Sequence, residues 1–267
     1  MQTQLKGAPL AQVTLQFIAA IKATKFNTTI DLKCILKSLP DVRLRTGYTL
    51  GSYRIGDWLG NKVILYPFRK GAKSEYDPGE IHRDIESFNK IGIFFDAKKG
   101  DPEAIRILEE REKPVLPFAD GQYVNGCLSL EAQKTVPVLK DYLDVDFTPM
   151  SIWQSMLLLE EASNYLPNGW HGGYFNGTII LDEACFKHEI RYCRLERSQW
   201  EPFQTDDRLI PSVTMLSVTE ALITFCRWND WSGLTYKTYH AFRDGRTIRF
   251  DSQEPENLIK YDCGIRF

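Results

Sequence analysis

The stretch that decides the fold is Thr235-Tyr236-Lys237-Thr238-Tyr239-His240-Ala241-Phe242-Arg243-Asp244-Gly245-Arg246-Thr247-Ile248-Arg249-Phe250-Asp251. Apolar and polar side chains alternate on both sides of Asp244-Gly245, and Asp-Gly between alternating runs signals a tight hairpin turn. A two-residue turn there pairs Ala241 with Ile248 and Tyr239 with Phe250, giving one apolar face. The same register sets His240 beside Arg249 and Thr238 beside Asp251 on the opposite face.

Working outward from this hairpin, Ser217-Val218-Thr219-Glu220 has the capping-box pattern, and Val218, Ala221, Leu222 and Phe225 continue it at helical spacing. A helix is favoured there, with a strand as the alternative because Ile223 and Thr224 are β-branched. Thr178–Leu181 and Ile190–Leu195 read as strands, and the terminal run Cys263–Phe267 as a last one. Upstream, Thr148 is a helix cap and Pro149 the first helical residue. That helix runs to about Tyr165, where Leu166-Pro167-Asn168-Gly169 stops it. Its wide apolar surface predicts burial on more than one side.

In the N-terminal part, Leu10, Val13, Phe17, Ile18 and Ile21 recur at helical spacing over roughly residues 9–24. Asp31 caps a short second helix that Pro40 ends. Two strands joined near Leu59-Gly60-Asn61 come next. Then come a helix at Ile81–Phe88, a strand at Ile91–Phe95, and a helix from Asp101-Pro102 to about Arg111. Val138–Val145 fits either a strand or a short helix. Regular strand–helix alternation is lacking, which argues for an α+β fold with helices packed on mainly antiparallel sheet. The best candidate boundary is Asp144–Pro149. It divides a mixed half, 1–147, from a helix-plus-sheet half, 148–267, although one continuous domain fits as well.

Composition narrows the function classes. The chain has 267 residues, long enough to bury a large core, and its 43% hydrophobic content excludes disorder. Its 33 basic and 35 acidic side chains give a net charge of −2, so no whole-chain field attracts nucleic acid or an anionic membrane. The first residues lack a signal-peptide pattern, and no uninterrupted apolar run reaches the length of a membrane span. A cytoplasmic protein is expected. The six cysteines are scattered without a CxxC pair, which in a reducing compartment means buried free thiols.

One segment concentrates chemistry. Asn168–Gly177 packs four glycines, three aromatics and His171 into ten residues just past the buried helix. Glycine allows close backbone approach to a ligand, and histidine is poised for proton transfer near neutral pH. In a catalytic reading His171 is the acid–base group, Glu160 or Glu161 its partner, and Trp170, Gly172, Gly173 and Tyr174 bind the ligand. The plainer reading is a helix-to-strand connection with aromatic core anchors. His171-Gly172 resembles the His-Gly opening of the diphtheria-toxin-like ADP-ribosyltransferases, which would imply that His171 holds the nicotinamide ribose of NAD. The glycine-rich tyrosine motif and the catalytic glutamate of that family are not evident, and no cofactor is assigned.

Other clusters have plain alternatives. Cys185, His188 and Cys193 have a metal-like spacing but lack a nearby fourth ligand, so no metal is expected. Lys187, Arg191, Arg194 and Arg197 are interleaved with Glu189, Glu196 and Glu201, as on a solvated face. Gly51-Ser52 and Gly56-Asp57 lack the Walker and dinucleotide spacings, leaving a hairpin with glycine kinks. His240, Arg249 and Asp251 form a polar patch on a sheet face. Because these groups occur singly, the expected function is an intracellular binding or accessory protein recognising a protein or small ligand, without nucleic-acid or membrane partners. The competing expectation is a hydrolase or transferase working at the His171 segment.

Overall fold

The computed structural model describes residues 3–22, 29–55, 62–71, 80–82, 100, 102, 106, 123–124, 127–128, 133–166 and 177–263. The N-terminal elements are β1 (Gln4–Lys6), α1 (Ala8–Lys22), β2 (Thr29–Asp31), α2 (Leu32–Lys37), β3 (Val42–Leu44), β4 (Tyr48–Ile55), β5 (Lys62–Arg69), β6 (Glu80–His82), β7 (Tyr123–Val124) and β8 (Cys127–Leu128). After a 3-10 turn at Leu139–Tyr142 come β9 (Leu143–Val145) and α3 (Pro149–Met156). A π turn at Leu157–Glu161 and a last helical turn at Ala162–Tyr165 extend α3. The chain continues with β10 (Thr178–Ile180), α4 (Glu183–Ile190), β11 (Ser212–Met215), β12 (Glu220–Asn229), β13 (Gly233–Asp244), β14 (Thr247–Ser252) and β15 (Glu256–Ile259).

The fold is α+β, built on a seven-stranded antiparallel sheet in the order β1-β11-β12-β13-β14. β10 runs beside β12, and β15 beside β13. The hairpin of β13 and β14 has the expected apolar face, but the turn residues are Gly245 and Arg246, closed by Asp244 and Thr247. Gly245 supplies the positive φ, +61°, that such a turn requires at its first central position. The register is therefore two residues from the expected one. Ala241 pairs with Phe250, and His240 with Asp251. A two-residue shift preserves which face each side chain takes.

The two faces of the sheet are covered differently. Ala221, Ile223 and Phe225 of β12, with Tyr239 and Ala241 of β13, join Leu10 and Phe17 of α1 and Ile152, Trp153 and Met156 of α3 in the main core. This core draws on both sides of the Asp144–Pro149 stretch. On the opposite face, Ile180, Cys226, Trp228 and Leu234 pack against Phe186 and Ile190 of α4. All residues from Ser151 to Leu158 are buried, as the wide apolar surface of α3 implies. Two polar devices seat this helix. The Trp153 indole N–H donates to Thr14 Oγ1 at 2.9 Å, and Thr14 in turn donates to the Leu10 carbonyl. The buried Gln154 amide accepts from the Asp41 backbone N–H and donates to the Asp41 carboxylate. Both arrangements satisfy polar groups that would be costly if left unpaired.

Local caps agree with the sequence. Thr148 accepts from the Ser151 N–H, and Asp31 accepts from the Lys33 N–H. Tyr48–Ile55 and Lys62–Arg69 form the expected hairpin, with Ile55 opposite Lys62. Val138–Val145 resolves into the 3-10 turn followed by β9. Three expectations are corrected. The expected helix over Val218–Phe225 is largely strand β12, because Ala221, Ile223 and Phe225 alternate onto the main core. The expected strand at Ile190–Leu195 is the end of α4 and a turn. That helix starts where Asp182 accepts from the Cys185 N–H. The expected helix at Ile81–Phe88 begins instead in strand β6, which pairs with β2. The rest of that segment, the strand at 91–95 and most of the helix expected at 101–111 lie outside the described residues, as do 264–267.

Among the described residues no helix is long and apolar enough to cross a membrane. Cys226 is a buried free thiol, and Cys34, Cys185, Cys193 and Cys263 are half-buried free thiols.

Candidate functional site

The π turn at the end of α3 places two consecutive carboxylates in opposite settings. A π turn adds one residue to a helical turn, which rotates the succeeding residues relative to a regular helix; such turns recur at functional sites. Glu161 faces the sheet and has no exposed side-chain surface. It forms an ion pair with Arg227 of β12, accepts from the Asn164 amide at 3.0 Å, and lies 3.9 Å from the Lys237 ammonium of β13. Glu160 stays exposed and lines a cleft of about 380 Å³.

Strand geometry brings the two cations together. Arg227 lies two residues beyond Phe225 on β12, so it shares the core-facing side with Ala221, Ile223 and Phe225. Lys237 stands opposite Phe225 on the neighbouring strand. Their side chains are only 11% and 21% exposed. Buried cations of this kind need carboxylate partners, and the π turn supplies them. Burial pulls Lys237 down to about 8; Arg227 pulls the same way and Glu160 opposes. Burial also pulls Arg227 down to about 10, which leaves it charged at neutral pH. Glu160 is raised by the surrounding protein, with Lys237 opposing. Tyr239 is raised by burial, then by Glu160.

The cleft beside Glu160 is built by four regions. β5 contributes Val63 and Leu65, the segment around the 3-10 turn contributes Val136 and Leu139, the π turn contributes Leu159, and β14 contributes Phe250. Tyr53 of β4 adds an aromatic wall, while Lys140 and Gln133 bring polar atoms. Its volume and its mixed lining, apolar side chains interspersed with Gln133, Lys140, Glu160 and Ser163, are compatible with a small-molecule site. Arg249 also borders it, but its guanidinium sits 4.8 Å over the Phe242 ring and 3.4 Å from Asp251, on the other face of the hairpin.

The sequence-singled residues divide accordingly. Glu160 and Glu161 are placed as described. Trp170, His171, Gly172, Gly173 and Tyr174 lie outside the described residues. The flanks of their segment are defined: Leu166 is buried in the main core, and Gly177 lies so close to Arg227 that an added Cβ would come within 2.6 Å of its side chain. His188 and Cys193 border a second, more polar cavity with Asp230, Tyr261 and Cys263. Cys185 instead sits against the core and contacts the Ile179 carbonyl. Among the described residues no group of three or more His, Cys, Asp or Glu side chains is arranged to hold a metal ion. Two of the interleaved basic residues are paired locally, Lys187 with Glu183 and Arg197 with Glu201. His240, Arg249 and Asp251 do share one sheet face, with the His240 ring 4.6 Å from Phe242.

Arg227 and Lys237 are not evident from sequence. The available signal is the arginine at a core-facing position of an alternating run, which a helical reading of Val218–Phe225 conceals. Comparison with protein-family models, curated proteins and solved structures finds no match.

Proposed function

We propose that this chain is an intracellular binding protein, without catalysis, that takes a small and mainly apolar ligand into the cleft between β5, the Leu139–Tyr142 turn, the π turn and β14. The observation that carries this reading is the convergence of Val63, Leu65, Leu139, Leu159 and Phe250 on one cavity of about 380 Å³ with a carboxylate at its edge. Ligand pockets commonly combine an apolar lining with a few placed polar groups. Beneath the cleft, the Glu161–Arg227 pair fixes the π turn to the sheet and so gives the lining a rigid floor.

Titration with the neutral dye Nile red tests it. Saturable one-site fluorescence enhancement is expected, together with at least a tenfold loss of affinity in Leu159→Arg and Val138→Asp variants whose circular dichroism is unchanged. Leu159 and Val138 both line the cleft and both keep some exposure, so folding of the variants is expected. Absence of saturable binding, or full binding by both folded variants, overturns the reading.

A further inference from the structure

We infer that the occupant of the cleft carries a protonated amine at one end of an apolar body, and that Glu160 is the group that reads it. This rests on the cleft reading and adds the charge of the ligand. Glu160 is the one carboxylate among the described residues that line the cleft, and it stands next to Leu159 and near Tyr53, Leu158 and Phe250. Its consecutive neighbour, Glu161, is committed to Arg227 and Asn164 below the floor. Among the described residues Glu160 has no such hydrogen-bonded commitment; the cation nearest in electrostatic effect, Lys237, is mostly buried and lies 3.9 Å from Glu161.

A carboxylate at the edge of an apolar wall is incompletely solvated, and its raised proton affinity reflects that. An ammonium group entering beside it restores a charge-assisted hydrogen bond, while the apolar body covers the partly exposed Leu159, Phe250 and Val138. The Arg249 guanidinium is engaged over Phe242 and beside Asp251. The opposite charge choice would fall to Lys140, exposed on the same cleft as Glu160 is, and the octanoate arm below tests it.

Isothermal calorimetry with octylamine, octanol and octanoate at neutral pH tests the inference. The expected order is octylamine tightest, by about tenfold over octanol, with Glu160→Gln bringing octylamine down to the octanol level. Octanol binding is expected to be unchanged by that substitution. If octanol or octanoate binds as tightly as octylamine, or if Glu160→Gln leaves octylamine unaffected, the amine inference is overturned while the cleft reading stands. If none of the three binds, the cleft reading falls with it. Glu160 is exposed, so the variant is expected to fold, and its melting temperature checks this.

Discussion

Glu161 and Arg227 form an ion pair that carries the end of α3 onto the centre of the sheet, with Glu161 wholly removed from solvent and Arg227 nearly so. Breaking one half of such a pair leaves the other charge buried, which costs about 3–5 kcal/mol. Glu161→Leu and Arg227→Met are each expected to lower stability by that order. Replacing both at once, as Glu161→Leu with Arg227→Met, is expected to cost less than the sum of the two single changes, because Arg227 is no longer stranded and only Lys237 loses its nearby carboxylate. Urea denaturation of the three variants, analysed as a double-mutant cycle, measures this directly.

Lys237 gives stability a definite pH dependence. Its folded pKa is about 8, against the ordinary 10.5 for the unfolded chain. Below pH 8 the ammonium is present in both states and its burial costs stability. From about pH 8 to pH 10 the folded chain has released a proton that the unfolded chain still binds, so stability rises with pH. Two pH units on one proton correspond to at most about 2.7 kcal/mol. Above pH 10 the raised pKa of Tyr239 acts in the opposite direction. The thiols of Cys34, Cys185, Cys193 and Cys226 are all held above their ordinary range, chiefly by burial or, for Cys34, by its hydrogen bond to Asp31, and they lower stability as pH rises above about 9. Chemical denaturation between about pH 8 and pH 10 is therefore expected to show the Lys237 contribution as a pH-dependent stability difference between the native chain and Lys237→Met. The native chain gains relative to the variant as pH rises.

The Trp153–Thr14 hydrogen bond ties α3 to α1 inside the core. Thr14→Val keeps the shape and strands a buried indole N–H, a loss of about 1–3 kcal/mol. A shift in tryptophan emission is expected with the fall in denaturation midpoint. No shift and no destabilisation would contradict the contact.

Gly233 and Gly245 both adopt positive φ but sit in unlike surroundings. A Cβ on Gly245 meets open space, whereas one on Gly233 would lie 1.9 Å from the Ile259 carbonyl oxygen. Gly245→Ala is expected to cost about 1–2 kcal/mol, the backbone penalty alone. Gly233→Ala is expected to cost more, because β15 must move from β13. Melting temperatures of the two variants should rank in that order.

The legible parts of the sequence are those with local causes. Thr148-Pro149, Asp31 and Asp244-Gly245 each announce an element through chemistry within a few residues, and each element is found. The apolar face of the β13–β14 hairpin is readable but its register is not, since Asp-Gly serves either as the two turn residues or as the step into them. Ser217–Glu220 shows a local signal overridden from afar: the capping-box pattern is present, yet Ala221, Ile223 and Phe225 gain more by alternating onto α3. The glycine at position 51 has a packing reason that lies outside its own segment: an added Cβ on Gly51 would meet the Tyr66 ring at 2.4 Å. At the site, Glu160 and Glu161 are legible as carboxylates beside an apolar helix. Their division between cleft and sheet is not, because it depends on a π turn and on cations some seventy residues later.

The placement of β1 has a consequence for the order in which the protein can be completed. Gln4–Lys6 pairs with Ser212–Thr214, and the Gly7 N–H bonds to the Pro211 carbonyl. Roughly two hundred residues must leave the ribosome after β1 before that partner strand exists, so β1 waits for its seat while they are made. During that interval its backbone donors and acceptors are open to any other strand edge. The risk of mispairing during synthesis is therefore concentrated at β1, which is made long before the strand that seats it.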